Sequence, residues 1–125
     1  MTKYLMVGIG GFLGAIARLW VNRYVASRLG VLFPYGTFVI NMSGCFLIGF
    51  IITVLDEHSH WSANWHYLIP IGFIGAYTTF STFEFETLRS MQEGQIAIAF
   101  LNVALSVTVG FAAVWLGFVA GRAVT

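Results

Sequence analysis

The sequence predicts an all-α membrane protein with four transmembrane helices per subunit, the third of them broken at mid-membrane. Three observations carry the membrane assignment. Charge is scarce: six Lys+Arg and five Asp+Glu make up 9% of 125 residues, against about 25% in a typical soluble domain. A soluble globule of this length is mostly surface and needs polar side chains to cover it. Hydrophobic residues reach 58%, which also excludes disorder, since disordered chains have the opposite balance. Finally, Leu29 to Leu55, His58 to Phe83 and Gly94 to Gly121 contain no Asp, Glu, Lys or Arg. Each stretch exceeds the roughly 20 apolar residues that cross a bilayer core. A net charge of +1 offers no basic face, so the expected surroundings are a lipid bilayer and not nucleic acid. Cys45 is the single cysteine and forms no disulfide within the chain.

Residues 1–125 read as one domain, with helices at about 3–24, 35–55, 66–89 and 95–121. The first span is uncharged from Tyr4 to Ala17 and reaches spanning length only by taking in Arg18. Arg18 lies about one turn from the predicted helix end, where a long cationic side chain can snorkel to the interface. Lys3 and Ala15-Ile16-Ala17 also match the basic start and cleavage site of a secretory leader. The helical spacing continues past them without a breaker, which favours a retained span. Pro34-Tyr35-Gly36 punctuates the entry to the second helix, and Asp56-Glu57-His58-Ser59-His60 is the polar loop before the third. Gln92-Glu93-Gly94 is the tight turn before the fourth. Trp20, Tyr24, Tyr35, Trp61, Trp65 and Tyr67 fall near predicted helix ends, where aromatic belts form.

Four spans put both termini and the 56–66 loop on one side, with Lys3 and Arg122. The other side carries Arg23, Arg28 and Arg89, plus Arg18 if it reaches the interface. Orientation is normally set by an imbalance of Lys and Arg, and here the balance is nearly even. Insertion in both directions would make an antiparallel homodimer, with its two-fold axis in the membrane plane, a natural closed assembly. A single orientation set by Arg23 and Arg28 is the alternative, and charge alone leaves both open. Gly10-x-x-x-Gly14 and Ala113-x-x-x-Gly117-x-x-x-Gly121 let helix backbones approach closely, within or between chains. The run from Gly8 to Gly14 lacks the spacing and the preceding strand of a dinucleotide fingerprint.

The third span carries the chemistry. Gly72 to Phe83 holds two glycines, followed by Thr78, Thr79, Ser81 and Thr82. Glycine weakens a helix, and Ser and Thr compete for its backbone bonds. A break at bilayer depth is tolerated where the backbone is buried in protein or lines a watery cavity. Transporters use such breaks to aim carbonyls at cations and N–H groups at anions. A glycine kink with back-bonded hydroxyls is the plainer alternative; the density of hydroxyls favours a site. Phe80 and Phe83 are three apart and share a helix face. They either pack against lipid and core or present positive ring edges to a small anion, with Ser81 and Thr82 between them. Asn41, with Thr37 one turn before it, lies inside the second helix. Asn102 and Ser106 are four apart in the fourth.

Amides and hydroxyls at such depth must be paired. They serve as interhelical glue, worth about 1 kcal/mol per bond, or as a ladder of neutral donors along a pore. No Lys or Arg occurs at mid-depth, and a neutral ladder can replace an anion's water without holding it too tightly to leave. Glu86 follows Phe83 by three residues and either caps the polar path or pairs with a helix end; Glu84 is interfacial. His58, His60 and His66 have no companion Cys or carboxylate cluster to complete a ligand set, so no metal is expected there.

The string Gly72-Phe73-x-Gly75-x-x-Thr78-Thr79-Phe80-Ser81-Thr82-Phe83-x-x-Glu86 resembles the signature of the Fluc (CrcB) fluoride ion channels. Gly10-Gly11-x-x-Gly14-Ala15-x-x-Arg18, Gly36-Thr37-x-x-x-Asn41-x-x-Gly44 and Asn102-x-x-x-Ser106 support it, in order along nearly the whole chain. The resemblance implies a dual-topology antiparallel homodimer with two fluoride pores in the cell (inner) membrane. It implies that Phe80 and Phe83 touch fluoride with their ring edges and that Asn41 is a pore-lining donor. Ser81, Thr82 and Ser106 would continue the polar path, with Thr79 and Asn102 alongside; the position of Asn102 varies in that family. Backbone carbonyls of Gly75 and Thr78 from both subunits would hold a structural sodium ion at the dimer centre. Arg18 would lie near the vestibule and Glu86 at a pore end. Ala76 stands where many members have a second glycine.

The implied role is passive export of fluoride, which lowers its cytoplasmic level and protects the cell. Fluoride is small and strongly hydrated, and burying a bare ion in a low-dielectric medium costs tens of kcal/mol in the Born limit. Donors and ring edges must recover most of that. A small dual-topology drug/proton exchanger is an alternative, but it needs a buried Glu in the first helix, and Tyr4 to Ala17 has no acid. A non-transporting membrane assembly subunit, with its polar residues as glue, is another. No nucleophile–base pair can be assembled, so an enzyme is not expected.

Overall fold

Long apolar runs free of interior proline produce three long helices: α1 (Thr2–Leu29), α2 (Tyr35–Glu57) and α6 (Ile96–Val124). Each is long and apolar enough to cross a membrane. The structure, a computed structural model, describes residues 1–58 and 60–125. Ser59, part of the polar loop before the third span, lies outside the described residues. Among the described residues the regular structure is entirely helical. α1 runs beyond its expected end at residue 24 and stops at Gly30, whose φ of 79° belongs to the left-handed region and whose N–H bonds the Ala26 carbonyl at 3.0 Å. Arg28 in that last turn complements the helix dipole.

The region expected as one broken helix at 66–89 is built from four segments. These are α3 (Asn64–His66), a π-helix (Tyr67–Ile74), α4 (Gly75–Tyr77) and α5 (Phe80–Gln92). Pro70 lies inside the π-helix. Proline has no N–H to give and crowds the carbonyl one turn back, and a wider turn accommodates both. Gly72 and Gly75 stay within helical backbone; the interruption falls after them. Thr78 (φ −79°, ψ 159°) and Thr79 (φ −152°, ψ 115°) are extended, a conformation their β-branched side chains favour. α5 ends at a glycine cap. Gly94, with φ 77°, donates to the Met91 carbonyl at 3.0 Å, and Gln95 N–H reaches the Ser90 carbonyl at 2.8 Å, which satisfies the last carbonyls.

α2 packs on α6, and α1 packs on the π-helix. The small-residue stripes work within the chain. A Cβ on Gly10 would run into the Leu68 carbonyl oxygen, one on Gly14 into that of Phe73, and one on Gly117 into that of Phe46. Ile40 of α2 and Ile74 of the π-helix are fully buried between these layers. Around them the outer faces are apolar and exposed, with Phe12, Leu19, Phe100, Phe111 and Trp115 pointing away from the subunit.

Candidate functional site: the groove at the helix interruption

A groove of about 370 Å³ opens where the backbone leaves helical geometry. It is lined by Asn41, Gly44, Cys45, Thr79, Phe80, Phe83 and Ser106, among others. α2, the interruption, α5 and α6 each contribute. Asn41 reaches the interruption because α2 passes directly beneath it: a Cβ on Gly44 would run into the Thr78 methyl group. Among the described residues no charged side chain lines this groove.

Asn41 makes a two-bond clamp. Its Nδ2 donates to the Thr79 carbonyl at 3.0 Å, and the Thr79 N–H donates to its Oδ1 at 2.9 Å. The side-chain amide thus pairs with an extended residue as a neighbouring strand would. Thr79 also caps α5. Its Oγ1 accepts from Thr82 N–H at 3.3 Å and donates to Thr82 Oγ1 at 3.0 Å. These two exchanges have a consequence. In a continuous α-helix, Thr79 N–H would bond the Gly75 carbonyl and Thr82 N–H the Thr78 carbonyl. Both donors are diverted, so the carbonyls of Gly75 and Thr78 lose their helical partners. Gly75 is exposed.

Phe80 and Phe83 stand with ring centroids 5.7 Å apart at 43°. They share the groove but not their surroundings: Phe80 is 74% exposed and Phe83 only 7%. Asn102 is 2% exposed. Its Nδ2 donates to Thr87 Oγ1 at 2.8 Å, and Thr87 Oγ1 donates to the Phe83 carbonyl at 2.8 Å. Ser106 Oγ reaches Asn102 Oδ1 at 3.5 Å. A line of bonds therefore runs from Ser106 at the groove through Asn102 to α5.

Other predicted residues lie elsewhere. Ser81 is exposed and Thr82 half-buried, and neither lines the groove. Arg18 is half-buried on α1, away from the groove lining. Glu86 borders a second cavity of about 390 Å³ at the end of the subunit, with Asn22, Arg89, Ser90, Glu93 and Gln95. Thr37 Oγ1 donates to its Oε1 at 3.0 Å, while its buried Oε2 has no partner among the described residues. Arg89 Nε donates to Glu93 Oε1 at 2.9 Å beside it. Across the chain, His66 Nε2 lies 3.4 Å from Asp56 Oδ1 and His58 Nδ1 lies 2.9 Å from the Val54 carbonyl.

Two participants were missed by reading the sequence. Thr87 sits four residues after Phe83, on the same helix face, and that spacing was the available signal. Ser43, whose Oγ lies 2.9 Å from the Tyr77 hydroxyl, sits two residues after Asn41 and gives no signal in sequence. That bond ties α2 to the turn before the interruption.

Residues 5–118 match the family described as CrcB-like protein, Camphor Resistance (CrcB). The chain is 58% identical over 120 residues to the fluoride-specific ion channel FluC of Acidobacterium capsulatum, covering 96% of each chain. It is 45% identical over 120 residues to that of Solibacter usitatus, covering 96% of this chain and 98% of the relative. Over 116 residues it is 46% identical to that of Methylococcus capsulatus, with 93% of this chain and 51% of the relative aligned.

Proposed function

The chain belongs to the CrcB-like family, and from that premise we propose that it is a fluoride-selective ion channel that exports fluoride passively across the cell (inner) membrane. The observation that carries the reading is the uncharged groove at the helix interruption, lined by Asn41, Thr79, Phe80, Phe83 and Ser106. An anion entering it meets a side-chain amide, a hydroxyl and two aromatic rings whose edges are electropositive. It meets no Lys or Arg that would hold it in place. Ser106 in the groove bonds Asn102 behind it, and Glu86 and Arg18 are the charges this reading assigns to the ends of the path. Ser81 and Thr82 lie outside this groove, so their part in the path requires a surface completed by a second copy.

That second copy belongs to the proposal. The working unit is an antiparallel homodimer of dual topology, and the nearly even Lys and Arg balance supports it. Phe80, 74% exposed in the subunit, would be covered there. The released carbonyls of Gly75 and Thr78 suit a hard cation that takes oxygen ligands, and a structural sodium ion between the two subunits fits that chemistry. Its positive charge would hold two helix interruptions together.

The test is efflux from liposomes. Purified protein is expected to release fluoride rapidly and chloride negligibly, and Phe83→Ile is expected to slow fluoride by tenfold or more, about 1.4 kcal/mol in barrier. Equal release of both halides would reject the selective mechanism.

A further inference from the structure

We propose that Asn41 is a positioning residue for the Thr78 carbonyl, and so for the cation held between subunits, in addition to facing the groove. The inference rests on the cation reading above and starts from the two-bond clamp. Thr79 N–H, which donates to Asn41 Oδ1 at 2.9 Å, belongs to the same peptide unit as the Thr78 carbonyl. That unit is planar and trans. Its C=O therefore points opposite to its N–H, away from Asn41 and α2. Fixing the N–H on the α2 side fixes the direction of the carbonyl on the other.

The second bond closes the geometry. Asn41 Nδ2 to the Thr79 carbonyl at 3.0 Å stops the next peptide plane from turning, so the extended pair at 78–79 cannot fold back into helix. If Thr79 N–H returned to the Gly75 carbonyl, that ligand would be occupied. The carboxamide thus keeps both proposed ligands available: it takes the donor that would cover Gly75 and aims the oxygen of Thr78. A hydrogen bond to the N–H also polarises the peptide and strengthens its oxygen as an acceptor. The second hydrogen on Nδ2 remains for the groove. One side chain thereby links the ion path to the subunit junction.

Partners that orient metal ligands, when removed, weaken metal affinity by about 10–100-fold. The experiment measures thermal stability of the full-length dimer against sodium concentration, with sodium replaced by a large organic cation. Fluoride efflux is recorded alongside. Asn41→Ala is expected to raise the sodium concentration for half-maximal stabilisation by about tenfold or more. Asn41→Leu removes the amide while keeping nearly the same volume, so it tests the same bonds without a cavity. It is expected to give a similar shift. An unchanged sodium response in either single variant overturns the positioning role, and loss of fluoride efflux with that response intact would make Asn41 an ion donor only. A wild-type dimer whose stability ignores sodium would remove the cation reading together with this inference, while its fluoride efflux would still report on the channel.

Discussion

Thr79→Val separates a capping hydroxyl from one that serves the ion. The replacement keeps the shape and the β-branching that suit φ −152° and ψ 115°. The clamp to Asn41 uses only the backbone of Thr79 and survives. What disappears is the acceptor for Thr82 N–H at 3.3 Å and the donor to Thr82 Oγ1 at 3.0 Å. Loss of an N-cap costs about 1 kcal/mol, within a range of roughly 0.5–2. The Thr79 hydroxyl donates to Thr82, so the role expected of it is the cap. The expected result is a destabilised subunit, by about 1 kcal/mol, with fluoride efflux within about threefold of wild type, less than 1 kcal/mol in barrier. Thr79→Ser should restore stability. Reversible unfolding in mixed micelles and liposome efflux measure the two quantities. Abolished efflux at unchanged stability would refute the reasoning, because the hydroxyl would then act on the ion and not on the helix.

Two further outcomes test the packing around the groove. Gly14→Ala should destabilise the subunit by about 1–3 kcal/mol, since its Cβ would run into the Phe73 carbonyl; an unfolding midpoint equal to wild type would contradict that close approach. For the line from α6 to α5, a double-mutant cycle of Asn102→Ala and Thr87→Val should give a coupling of about 0.6–1.7 kcal/mol, reflecting the 2.8 Å bond between them; additive losses would show that the two side chains do not act together.

How much was legible in the sequence follows from which forces are local. Scarcity of charge and the three uncharged stretches announce α1, α2 and α6, because a helix that satisfies its own backbone is the structure a bilayer demands of an apolar run. Hydroxyls behind glycines mark Thr78 and Thr79 as the place where helical bonding gives way. The glycines themselves suggest a different place. Gly72 and Gly75 remain helical because the π-helix packs against α1, where Gly10 and Gly14 leave room for its carbonyls. Such contact between distant segments overrides local propensity.

The chain's composition and order of residues therefore determined a helical membrane protein with neutral polar side chains inside its apolar stretches. That much follows from transfer into lipid and from hydrogen-bond competition within a few residues. Only the tertiary structure decided what those side chains do. Asn41 meets Thr79 across 38 residues, and Thr37 meets Glu86 across 49, so both bonds exist only once α2 lies against the interruption and α5. Phe80 and Phe83, equal by spacing, become one exposed ring and one buried ring. The physical reason is range: burial preference and helix periodicity are written within a turn or two, whereas the partner of a buried polar group is fixed by helices that pack from opposite ends of the chain.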